Sequence, residues 1–74
     1  EIKAMGKCGV AFEALVCEVV SRHLNGAEII DVATRQSARG RYLSVSCTIE
    51  AADRDQLDSI YLDLHSEADV LVTL

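Results

Sequence analysis

The sequence contains no proline and no tryptophan, four glycines, and only three aromatic residues, Phe12, Tyr42 and Tyr61. Without proline there is no stiff linker, and with so few rings there is little to stack nucleic-acid bases. No apolar run extends beyond a few residues, which excludes a membrane-spanning helix of about 20 residues. Three cysteines, an odd number without paired spacing, argue against a disulfide framework and fit a reducing compartment. No charged-then-apolar leader precedes the first strand, so the chain reads as soluble and cytoplasmic. It opens on Glu1 in place of Met, as a processed or trimmed piece of something longer would.

Positive charge is also scarce. The formal net charge is -5, and it is unevenly spread. Up to Arg41, six basic residues face five acidic ones; from Tyr42 onward, Arg54 stands alone against seven acidic residues. Nucleic-acid binding draws on a basic surface that displaces counterions, so this balance disfavours it. What the chain does have is apolar content: half of its 74 residues. That is enough for one small domain spanning residues 1–74, near the size at which a single core is marginal and self-association helps.

Along the chain, two periodicities alternate. Residues 1–6, EIKAMG, read as a short strand leading into a turn. Phe12, Leu15, Val16, Val19, Val20 and His23 then recur at helical spacing, and Asn25 and Gly26 supply left-handed residues that close a helix. EIIDVATRQ is β-branched and reads as an edge strand with Ile30, Val32 and Thr34 on one side. Ser37 to Gly40 form a hairpin turn. Strict alternation follows: Leu43, Val45, Cys47 and Ile49 on one face, Tyr42, Ser44, Ser46 and Thr48 on the other. Asp53 with Gln56 makes an approximate capping box for a second helix with Leu57, Ile60, Tyr61 and Leu64 buried. VLVTL closes the chain as a strand with Val70, Val72 and Leu74 inward.

The order β, α, β, β, α, β defines an α+β fold of ferredoxin-like type, βαββαβ. Right-handed crossovers place strands one and three in the middle of a four-stranded antiparallel sheet, with both helices on one face. The other face is left uncovered by the chain itself.

Chemistry-bearing residues are few. Cys8, between the first strand and first helix, stands where heavy-metal-associated domains have a pair of thiolates three positions apart; here the second position is Ala11, and one thiolate does not make such a site. No metal or other cofactor is therefore expected. His23 and His65 close the two helices and have no companion ligands at zinc spacing. The carboxylates fall on solvent faces, and Ser37, Ser44 and Ser46 lack an arranged base, so no catalytic residue is assigned and the chain reads as no enzyme. Two loops carry binding potential. Gly6, Lys7, Cys8 and Gly9 combine glycines, a lysine and helix amides that suit an anion or carboxylate. Arg35, Arg39 and Arg41, around Ser37, Gly40 and Tyr42, suit a phosphate or an acidic partner.

The segments IKAMG, VCEVVSRH, SARGRYLSVSCTIEA, LDSIYLDL and VLVTL, in that order and at those intervals, resemble the YbeD-like family of small bacterial proteins of unknown function. The most specific part is the turn and strand, where Ser37, Gly40, Tyr42, Ser44, Val45 and Ser46 match the family pattern, together with Tyr61; Ala38 departs from it, standing where a second serine is usual. Family members carry a short segment before the first strand that is missing here. The resemblance implies a fold similar to ACT regulatory domains, which bind small ligands such as amino acids near the turn occupied here by Gly6 to Gly9. The expectation is a non-enzymatic regulatory or interaction module. It takes a second copy or a protein partner through its open sheet face or the edge strand at residues 29–36. The alternative is a small-ligand sensor, with single-stranded nucleic acid behind both.

Overall fold

Strand β1 (Ile2–Lys7) places Ile2, Ala4 and Gly6 inward, and β3 (Tyr42–Thr48) does the same with Leu43, Val45 and Cys47. The computed structural model describes the backbone of residues 1–74 and every side chain except that of Val10. Between and after these strands come α1 (Val10–Ser21), β2 (Asp31–Gln36), α2 (Arg54–Ser66) and β4 (Val70–Thr73). All pairings are antiparallel and the sheet order is β2-β3-β1-β4, so the two alternating strands are indeed the central ones. The ferredoxin-like α+β fold is thus confirmed.

Phe12, Val16, Val19 and Val20 of α1 and Ile60 and Leu64 of α2 close over the inward row of β1 and β3 as one core. Each such side chain stabilises the fold by about 1.5–3 kcal/mol when taken fully from water. Leu24 joins them although it lies beyond α1. The helix ends three residues before Leu24, and the chain continues in tight turns, His23 N–H to Val20 C=O and Leu24 N–H to Ser21 C=O, that roll Leu24 inward. Asn25 and Gly26 then take positive φ, 52° and 90°.

Three residues expected inside are outside, and one mechanism accounts for all three. The Ile30 N–H donates to the Thr48 carbonyl at 2.8 Å, yet Thr48 is already opposite Asp31. Two consecutive residues face one, as in a β-bulge, and the alternation slips. Ile29 therefore packs against the core and Ile30 is 64% exposed. In β4, Thr73 is opposite Ala4 and Val72 opposite Met5, but Val70 is opposite Gly6, so the register shifts at Leu71. Beyond that shift the faces exchange. Thr73 turns under α2, where its hydroxyl meets His65 Nε2 at 2.6 Å, while Val72 and Leu74 emerge on the open face, 44% and 65% exposed.

Candidate functional site

The hairpin corner is built by Ser37. Its carbonyl accepts from the Gly40 N–H, its N–H donates to the Tyr42 carbonyl, and its hydroxyl accepts from the Tyr42 N–H at 3.2 Å. Gly40 has φ 67°, a left-handed value that disfavours any residue with a Cβ. Ser37 and Gly40 are therefore occupied in shaping the turn. Arg35, Arg39, Arg41 and Tyr42 stay exposed around it. They border two hollows, one of 350 Å³ with Arg39, Arg41 and Tyr42, and one of 180 Å³ between Met5, Arg35, Tyr42 and Ser44.

The first turn adjoins this corner. Lys7 stands opposite Tyr42, and the Cys8 N–H donates to the Arg41 carbonyl at 2.8 Å. Gln36 Nε2 reaches Cys8 Sγ at 3.4 Å. The two groups that the sequence presents separately thus form one end of the sheet. Gly6 is not part of the turn: it lies within β1, buried, and a Cβ there would meet the Asp69 carbonyl and the Phe12 ring. Its absent side chain serves close packing. Gly9 caps α1 in an extended conformation with open space around it and no side-chain cap. The 360 Å³ recess beside it is lined by Cys8, Thr34, Gln36 and also Glu13, a carboxylate that opposes an anion there.

Across the uncovered sheet face, pairing sets Arg35 beside Ser44, Ser44 beside Met5, and Met5 beside Val72; one step along run Ala33, Ser46 and Lys3. The face is apolar on its β4 side and basic elsewhere, with Lys3, Lys7 and Arg35 against Asp31. The acidic residues Glu13, Glu18, Asp55, Asp58, Asp63 and Glu67 belong to the helical layer and its margin.

Two clusters escaped sequence reasoning because their members are distant in the chain. His23 Nε2–H donates to Asp63 Oδ2 at 2.8 Å, and Arg22 lies 3.4 Å from the same carboxylate and from Glu18. The His23 hydrogen bond, reinforced by Arg22, holds the Asp63 carboxyl below its ordinary value. Gln56 locks the same corner, donating to the His23 carbonyl at 2.7 Å and accepting from the Ala52 N–H at 2.7 Å, while Asp53 caps α2 by accepting from the Gln56 N–H. Ser59 lines the hollow beside His23, but among the described residues no hydrogen bond joins them. The second cluster is Cys17 of α1 and Cys47 of β3, the first packed against the core that holds the second. Burial pushes Cys47 up to about 12, and burial likewise raises Cys17, so both remain protonated and unreactive near neutral pH.

A ferredoxin-like domain with one uncovered sheet face is the class these features define. The whole chain, residues 1–74, matches the family described as "Protein of unknown function (DUF493)", and it belongs to that family. Among curated proteins it is similar to a UPF0250 protein of Pseudomonas aeruginosa, 38% identical over 73 residues, covering 99% of this chain and 78% of the relative. A UPF0250 protein of Nitrosomonas europaea is also 38% identical over 73 residues, covering 99% and 84%. One from Chromobacterium violaceum is 40% identical over 63 residues, covering 85% and 71%. These relatives are uncharacterised UPF0250 proteins, the YbeD-like group. No solved structure matches the chain. No helix is long and apolar enough to cross a membrane.

Proposed function

We propose that the chain is a non-enzymatic regulatory module of the cytoplasm that acts by binding protein through its uncovered sheet face. The observation that carries this reading is the register shift at Leu71, which brings Val72 and Leu74 out beside Met5. Apolar side chains there gain nothing from water, and a partner that covers them recovers about 25 cal/mol per Å². Lys3, Lys7 and Arg35 around them favour a partner with carboxylates at its rim. Against catalysis stand the two protonated thiols and a His23–Asp63 pair that, among the described residues, no nucleophile joins by a hydrogen bond. Affinity capture from a bacterial lysate tests the reading: the wild type retains a protein that Val72→Ser/Leu74→Ser loses. No retained protein, or retention indifferent to that variant, overturns it.

A second reading, a sensor of a small anion or amino acid, draws support from the hydrogen bond that joins the Cys8 turn to Arg41. Amide shift titration with amino acids and phosphorylated metabolites tests it; Lys7, Cys8, Gly9, Arg39 and Arg41 move together if it holds.

A further inference from the structure

We propose that two copies of this chain pair edge to edge through β2, antiparallel, with Ala33 on the twofold axis and Asp31 of each copy opposite Arg35 of the other. The proposal rests on the reading of the chain as an interaction module and names the partner at its free edge.

The sheet has two edges. β4 is four residues long and its register breaks at Leu71, a feature that blunts an edge. β2 offers six residues in unbroken register with β3, and apart from half-buried Val32 all of them are exposed. The Ser37 N–H donates to the Tyr42 carbonyl, which marks that position as a hydrogen-bonded pair. Such pairs alternate along an antiparallel ladder, so Asp31, Ala33 and Arg35 bond inward to β3. Val32, Thr34 and Gln36 turn their N–H and C=O groups out to the free edge.

A twofold axis perpendicular to the sheet keeps the helices of both copies on one side, and the pairing residues must then share a face. Two central registers satisfy this. Centred on Ala33, Val32 and Thr34 of one copy exchange hydrogen bonds with Thr34 and Val32 of the other. Asp31 and Arg35 meet twice on the open face, at the closer, non-hydrogen-bonded spacing of about 4.5 Å between Cα atoms. Centred on Thr34, Arg35 faces Ala33 and the two Arg35 side chains become diagonal neighbours, which is repulsive. Charge therefore selects the first register. Within one copy Asp31 and Arg35 lie four residues apart on an extended strand, about 13 Å, too far to pair with each other. Among the described residues neither takes part in an ion pair. A strand with opposite charges placed symmetrically about a small central residue is complementary to itself, as a twofold interface requires. The product is one eight-stranded sheet whose two open faces are continuous.

Sedimentation equilibrium of the full chain, with folding of every variant checked by circular dichroism, tests the pairing. The wild type is expected to sediment at twice its mass of 8.0 kDa. Arg35→Asp and Asp31→Arg, each placing like charges opposite one another, are expected to weaken the dimer about tenfold or more. The double variant Asp31→Arg/Arg35→Asp restores it. In a Cys8→Ser background, Ala33→Cys forms a disulfide-linked dimer on mild oxidation and Thr34→Cys does not. A wild type that is monomeric at about 1 mM, single reversals without effect, or a double variant that fails to recover overturns the proposal. If a monomer still retains protein through Val72 and Leu74, the pairing fails and the face reading stands; a dimer that retains none has the opposite meaning.

Discussion

His23 at the end of α1 donates from Nε2 to Asp63 Oδ2 of α2 at 2.8 Å, across forty residues of sequence. The contact holds the Asp63 carboxyl below its ordinary 3.8, so the stability it contributes is fully present above that value and is lost as pH falls through the lower folded value. Asp63→Asn should cost about 0.5–1 kcal/mol at neutral pH, a modest figure because the side chain is partly solvated. Urea unfolding should show this difference shrinking below about pH 4. A deficit that persists unchanged in acid contradicts the assignment.

Gly6 and Gly9 should separate cleanly under substitution. Gly6→Ala drives a methyl into the Asp69 carbonyl and the Phe12 ring, and should destabilise by about 2 kcal/mol or more. Gly9→Ser enters open space at an extended helix cap that lacks a side-chain acceptor, and should stabilise by about 0.2–0.5 kcal/mol. Thermal unfolding of the two variants is the measurement.

The three thiols should react in order. Cys8 is half-buried at the sheet's end, Cys17 is half-buried with its thiol raised by burial, and Cys47 is buried with its thiol pushed up to about 12. A disulfide reagent at about pH 8 should modify Cys8 first, Cys17 slowly, and Cys47 only at the rate of unfolding. Mass spectrometry of the labelled sites during the reaction decides the order.

The slip at the start of β2 predicts opposite outcomes for neighbours. Ile29→Ser should cost about 1–3 kcal/mol, whereas Ile30→Ser should stay within about 0.5 kcal/mol of the wild type. Equal costs would mean that the alternation runs unbroken through Ile30.

The alternation of the central strands was legible, apart from Gly6 and Lys7, which the sequence places in a turn and the structure in β1, because each is matched by neighbours on both sides and a register flanked twice has no freedom to slip. The edge strands were not. Ile30, Val72 and Leu74 alternate correctly on paper, but an extra residue at one end of β2 and at Leu71 in β4 exchanges their faces, and such insertions have no marker here, neither glycine nor proline. Leu24 was missed because its burial comes from tight turns after the helix, outside any periodicity. At the candidate site, the arginines and Tyr42 were identifiable by type, and Ser37 and Gly40 by turn chemistry. The joining of Cys8 to Arg41, and of His23 to Asp63, depends on contacts across the sheet and between the helices that no local spacing encodes.

Charge is unevenly divided across the molecule's thickness: five of the seven basic residues lie on the sheet or its corner, and seven of the twelve carboxylates lie on the helices and their caps. A negatively charged surface approaching in solution turns the sheet toward itself before any atoms touch, and the acidic layer faces away. Encounters are thereby oriented at distances of roughly a Debye length, about 8–10 Å in physiological salt. Association on the sheet side should be fast in dilute buffer and slow steeply as ionic strength rises, with much less change in how long a formed complex lasts.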